Sequence, residues 1–127
     1  MNKAEKEQIV YKYIAAYNDF DTETMLSLFH PECRFENYSG DQLTASAAGL
    51  SELGQMMEQG KDIFSSRTQT VTGFSSEGES VVINIGYAGK LKIDLPNGLK
   101  AGDDLILQGR SEFEFQDGLI KSLKDYS

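Results

Sequence analysis

Residues able to do chemistry are few in this sequence, and their spacing places most of them on inward faces. Tyr13 and Tyr17 lie four apart, so a helix puts both phenols on one face with Ile9, Val10, Ile14, Ala16 and Phe20. A buried phenol can donate to a ligand carbonyl, or it can be a core aromatic whose hydroxyl reaches backbone or water. Asn37 alternates with Cys33 and Phe35 at the period of a strand, so if Phe35 faces the core the Asn37 amide does too, and it needs a partner there. Ser111 lies between Gly109 and Phe113 on an inward face, where its small side chain leaves space. Asp41 follows Ser39-Gly40 in a loop and is the best carboxylate left to act as a base, with turn formation as its competing role.

The remaining reactive side chains point away from chemistry. His30, the only histidine, precedes Pro31 at a helix end, where it caps carbonyls or meets solvent. Cys33, the only cysteine, has no nearby histidine or helix N-terminus to make it a thiolate and reads as a small buried hydrophobe. A single cysteine excludes an internal disulfide and fits a reducing, cytoplasmic location. One histidine and one cysteine, with no carboxylates at ligand spacing, predict no metal site. The absence of a glycine-rich phosphate loop predicts no nucleotide, so no cofactor is expected.

These residues must be positioned by helices that come first and strands that follow. The pattern predicts helices over Lys3 to Tyr17, Thr22 to Phe29 and Gly49 to Gln59. Ala45, Ala47 and Ala48 extend the start of the third, and Gly60 stops it. Cys33 to Tyr38 reads as a strand, and Phe64 to Phe74 as a polar one. Val81 to Ile93 forms a long strand bent at Gly86 and Gly89. Pro96-Asn97-Gly98 is a turn, and Gln116-Asp117-Gly118 closes the last hairpin onto Leu119 to Tyr126. Leu105, Leu107, Ser111, Phe113 and Phe115 then face inward; Gln108, Arg110, Glu112 and Glu114 face out. Helices gathered at one end of an antiparallel sheet make an α+β fold, a curved sheet wrapped around a long N-terminal helix and two further helices, able to enclose a pocket.

At 127 residues the chain is long enough for one domain, 1–127, with 39% hydrophobic and 25% charged residues. A net charge of −8 argues against a nucleic-acid partner, since a phosphate backbone calls for clustered Lys and Arg. No apolar run nears the ~18 residues of a spanning helix, and MNKAEKEQ lacks an apolar signal core, so no membrane partner is expected.

Tyr13-Ile14-Ala15-Ala16-Tyr17-Asn18-Asp19-Phe20-Asp21, Leu28-Phe29-His30-Pro31 and Phe35-Glu36-Asn37 together resemble the first third of the nuclear transport factor 2-like superfamily, which includes ketosteroid isomerase and SnoaL-like polyketide cyclases. The resemblance implies a cone-shaped (cystatin-like) roll and, often, a homodimer paired through the outer face of the sheet. In the isomerase an aspartate base moves the proton while a tyrosine and a protonated aspartate hold the enolate oxygen. The tyrosine matches Tyr13; the base position carries Asn37 and the second donor position Ser111. Asparagine cannot abstract a proton, so the isomerase mechanism does not transfer as it stands.

The sequence thus predicts a protein that binds a small, mostly apolar molecule. Phe20, Phe29, Phe35, Met56, Phe64, Tyr87 and Phe113 line its pocket, Tyr13, Tyr17, Asn37 and Ser111 orient the ligand, and Asp41 or an ordered water serves as base. Its chemistry, implied by the resemblance, is cofactor-independent isomerisation, cyclisation or dehydration. The competing expectation is a non-catalytic dimeric interaction module whose cone is filled by its own side chains.

Overall fold

Asn2 caps α1 (Lys3–Asn18): its side-chain oxygen accepts from the Glu5 amide at 2.9 Å. In the computed structural model, which describes residues 1–127, this helix buries Val10, Tyr13, Ile14 and Ala16 against the sheet. Phe20, at the left-handed φ of 56°, breaks the helix, and Asp21 caps α2 (Thr22–Ser27) through the Thr24 amide and hydroxyl at 3.1 and 2.7 Å.

Phe29 belongs to β1 (Phe29–Ser39), not to the end of α2 as the sequence suggests. Pro31 favours an extended residue before it, and Phe29 pairs with Ile120 while the Ile120 amide donates to the Leu28 carbonyl. The strand therefore begins earlier than its alternation reveals.

The alanines after the loop are a second correction. Ala45, Ala47 and Ala48 lie in β2 (Gln42–Ala48), opposite Asn37, Phe35 and Arg34. Alanine's local helix preference yields to the hydrogen bonds of a hairpin that turns at Gly40. Gly49, at φ 82°, then switches the chain into α3 (Gly49–Ile63), whose Glu52 carboxylate accepts from the Ala48 amide at 3.0 Å. Gly60 does not stop this helix. It lies inside it, where a Cβ would sit 2.7 Å from an Arg67 guanidinium nitrogen.

β3 (Phe64–Glu77), β4 (Ser80–Leu91), β5 (Asp104–Gln116) and β6 (Leu119–Tyr126) complete a six-stranded, curved and unclosed sheet in the order β2-β1-β6-β5-β4-β3. β3 runs three residues past the predicted Phe74, and β4 ends two residues before Ile93, which is exposed. The sheet is mixed rather than wholly antiparallel, because β1 and β6 pair in parallel. Helices packed on one side of this sheet make the α+β roll that the order of elements predicts. One end is solid: Val10, Phe29, Val81, Ile83, Phe113, Ile120 and Leu123 are excluded from solvent there. No helix is long and apolar enough to cross a membrane.

Candidate functional site

A single row of residues crosses the sheet where the solid packing ends. Asn37 on β1 pairs with Asp125 on β6, and Asp125 pairs with Ser111 on β5. Because Leu123 is fully buried and side chains alternate, Asp125 also points inward, into the space beneath α1. The Ser111 hydroxyl donates to Asp125 Oδ1 at 2.7 Å. Burial pushes the Asp125 carboxyl up to about 6, and the Ser111 hydrogen bond only partly offsets this. An inward carboxylate that titrates near neutrality suits a general base.

The row borders a cavity with two lobes that share Tyr17, Asn37, Phe64 and Asp125. The larger, of about 290 Å³, extends along β4 and β5 past Tyr87, Ile85, Leu105 and Leu107. The smaller, of about 190 Å³, runs beneath α3 between Phe35, Met56, Met57 and Arg67. Its walls are largely apolar, with a few convergent polar groups, the usual composition of a small-molecule site.

Tyr13 lines the smaller lobe, packed edge-on against Phe29 and Phe113 with ring centroids 5.7 and 5.9 Å away. Burial, aided by the Asp125 charge, raises its pKa well above the ordinary phenol value, so it stays a protonated donor. The Tyr17 and Tyr87 hydroxyls lie 3.1 Å apart, and burial also raises the Tyr87 pKa. Asn37 faces both lobes and donates from Nδ2 to the Thr44 hydroxyl at 2.8 Å.

The structure brings Tyr13, Tyr17, Phe35, Asn37, Met56, Phe64 and Tyr87 to the cavity wall. The others fall elsewhere. Phe29 and Phe113 belong to the solid core beneath Tyr13 and line neither lobe. Phe20 covers the Arg67 guanidinium, 4.2 Å from its ring centroid. Ser111 reaches the site only through Asp125. Asp41 is exposed at the tip of the β1–β2 hairpin and borders neither lobe, because the turn carries it beyond the strand pair.

Sequence reasoning missed Asp125, Arg67 and Gln69. Extending the inward alternation of β6 from Leu123 to Asp125 reaches the first. The other two alternate on β3 within a polar, threonine-rich run that gives no apolar signal, yet both are buried, at 6% exposure each. Arg67 packs its guanidinium 3.7 Å from the Tyr17 ring centroid and donates from Nε to the Tyr17 carbonyl at 3.0 Å. The Asn18 amide pairs with both backbone groups of Gln69, at 2.8 and 3.1 Å, which locks the end of α1 to β3.

Comparison with known proteins supports the same architecture. A candidate polyketide cyclase from Xanthomonas campestris pv. campestris superposes with a TM-score of 0.82 at 19% identity, covering 100% of this chain and 93% of that one. AclR, a candidate hydroxylase from Streptomyces galilaeus, gives 0.77 at 20% identity, over 98% and 89% of the two chains. A protein with a ketosteroid isomerase-like fold from Catenulispora acidiphila DSM 44928, in complex with trimethylamine, gives 0.78 at 18%, over 94% and 84%. A search of curated proteins found no match. The family model of the SnoaL-like domain matches residues 10–123. With that match spanning almost the whole chain, this protein belongs to the SnoaL-like family of the nuclear transport factor 2-like superfamily.

Proposed function

We propose that the cavity binds a small, mostly apolar carbonyl compound and that Asp125 moves a proton on it without a cofactor. The observation that carries this reading is the Asp125 carboxylate, facing both lobes of the cavity and held by Ser111 at 2.7 Å, where burial raises its pKa to about 6. Asn37 fills the position where the isomerase carries its base, and Asp125 is its direct partner on the neighbouring strand. The carboxylate is thus displaced by one strand and still faces the cavity. It takes a proton from carbon next to the carbonyl, while a protonated phenol, Tyr13 or one of the Tyr17–Tyr87 pair, donates to the enolate oxygen. Return of the proton elsewhere gives isomerisation, and attack by the enolate carbon on a second carbonyl gives cyclisation.

The test uses 2-tetralone, a bicyclic ketone with exchangeable protons, followed by NMR in heavy water. The protein accelerates deuterium uptake, with a rate that climbs through pH 6 and levels off above it, as a base that must be ionised requires. Asp125→Asn removes the acceleration. Exchange that is unchanged in this variant overturns the catalytic role.

The open cavity favours this reading over a self-filled interaction module. We further propose a homodimer through the outer sheet face, where Tyr38 stacks on Tyr126 at 5.1 Å, Arg110 covers Tyr126 and Ile106 is 71% exposed. Sedimentation showing only monomer at micromolar concentration removes it. The net charge of −8 makes nucleic acid an unfavourable partner, and the unpaired Cys33 is compatible with the cytoplasm.

A further inference from the structure

Arg67 is the one buried cation of the site, and the protein gives it no anionic partner. Its only hydrogen bond runs from Nε to the Tyr17 carbonyl, and it takes part in no ion pair. The chain has 20 acidic residues, so the want of a partner is not a shortage of carboxylates. Capping the last turn of α1 explains one N–H of the fork and leaves the terminal nitrogens unused. A buried charge left unpaired is costly, and a lysine or glutamine would cap a carbonyl at lower cost.

The surroundings are arranged to hold this guanidinium in place. Tyr17 and Phe20 cover it with their rings, and Phe20 adopts the left-handed φ of 56° in doing so. Gly60 provides the room on the α3 side, where a Cβ would come within 2.7 Å. Arg67 lines the smaller lobe of the cavity. A second, independent feature lies two residues on along the same face of β3. Gln69 lines the larger lobe, and its side-chain oxygen is buried without any hydrogen-bond partner. A fixed cation and an unsatisfied amide oxygen on one strand, facing adjoining lobes of the cavity, call for polar groups on the ligand.

We propose that Arg67 is an anion anchor and that the ligand of this cavity is a small organic acid, a carboxylate carried on an apolar ring. The guanidinium fork receives the carboxylate oxygens, the Gln69 amide meets a further polar substituent, and the ring lies between Phe64, Phe35 and Met56 with its reactive carbon toward Asp125. This deepens the proposed function and rests on the cavity being a binding site. It also provides orientation: a ligand tethered at Arg67 on β3 reaches across the cone toward the carboxylate on β6.

The experiment is isothermal titration, at pH 7.5, of the full chain with matched pairs of a neutral amide and its acid: benzamide and benzoate, 2-naphthamide and 2-naphthoate, and 2-anthracenecarboxamide and its acid. At least one acid binds tenfold or more tighter than its amide, Arg67→Gln abolishes the preference, and Arg67→Lys keeps part of it. Gln69→Leu leaves the preference in place, since these probes carry no second polar substituent. Acid and amide binding alike to the native protein overturns the anchor and leaves the cavity as a site for neutral molecules. No binding of any member overturns the anchor together with the cavity reading. If Arg67→Gln does not fold, the acid–amide comparison on the native protein and on Arg67→Lys decides.

Discussion

The same strands and the same helix build both ends of the cone, yet the two ends hold opposite kinds of residue. At the solid end β4 contributes Val81 and Ile83, β5 Phe113, β6 Ile120 and Leu123, and α1 Val10, none of them exposed. Two to seven residues along each element, the inward positions become Tyr87, Ser111, Asp125 and Tyr17. Asn37, Asp125 and Ser111 mark the border, one on each of three neighbouring strands. The lesson is that a closed end of interlocking apolar side chains fixes the strands, so the open end can carry polar groups and empty space without losing register.

The sharpest way to break this comparison is to remove one side chain at each end. Phe113→Ala, in the solid end, should cost about 3–5 kcal/mol of stability, the range for deleting a buried aromatic. Phe64→Ala, on the cavity wall, should cost about 1 kcal/mol or less, because the cavity already borders that ring and it is only half-buried. Urea unfolding of both variants checks this. Equal losses would mean that the two ends are packed alike and the cavity is not a distinct region.

Next in size is Asp125→Asn. Proton exchange from 2-tetralone should fall by about 10²–10⁴-fold, the usual contribution of a positioned base. Adding Asn37→Asp to that variant should recover a measurable share, because the two positions are direct partners across β1 and β6. Stability should move the other way. A carboxyl whose pKa is raised on folding holds its proton more tightly folded than unfolded, so stability declines as pH rises from about 4 to about 6 and the loss is complete above that. Asp125→Asn should therefore be more stable than the native protein by about 1–2 kcal/mol at pH 7.5 and no different near pH 3. A carboxyl raised from about 4 to about 6 on folding would cost about 3 kcal/mol in full, and screening by water in the cavity reduces this. Thermal melts at the two pH values decide; a variant less stable at pH 7.5 would show that Asp125 holds the fold together.

How much of this was legible in the sequence depended on which end a residue belongs to. The apolar spacing of Val10, Tyr13, Ile14 and Tyr17 and the alternation of Val81, Ile83 and Ile85 are direct records of packing, so the helices and most strands could be read from them. The alanines of β2 could not, because alanine fits both states and only pairing with β1 decides between them. The cavity wall was read in part: aromatics such as Phe35, Phe64 and Tyr87 announce an inward face. Arg67, Gln69 and Asp125 look like surface residues in any window, since what buries them is the docking of α1 onto β3 and the parallel pairing of β6 with β1. Phe29 and Phe113 mislead in the opposite sense, because an aromatic on an inward face has the same pattern whether it fills the core or lines a cavity.

Tyr17→Phe separates the two ends more finely. It keeps the ring that covers Arg67 and removes the hydroxyl that meets Tyr87 at 3.1 Å. Stability should change by about 1 kcal/mol or less, and affinity for a carbonyl ligand that takes its hydrogen bond from this pair should fall by about tenfold or less. Titration beside a urea melt distinguishes the roles. A large stability loss with intact binding would place the hydroxyl pair with the core.

The smallest effect is expected at Asp41. It was the carboxylate most attractive from sequence alone, yet it stands exposed at a hairpin tip whose turn is made by Gly40 at φ 60°. It forms no ion pair or side-chain hydrogen bond and borders neither lobe of the cavity. Asp41→Ala should leave exchange of 2-tetralone within about twofold and stability within about 0.5 kcal/mol, as for surface sites in general. A tenfold loss of exchange at unchanged stability would mean that the β1–β2 hairpin folds over the open end when ligand is bound. The carboxylate assignment would then pass from β6 to that loop, because a base needs only to be near the carbon it deprotonates in the bound state.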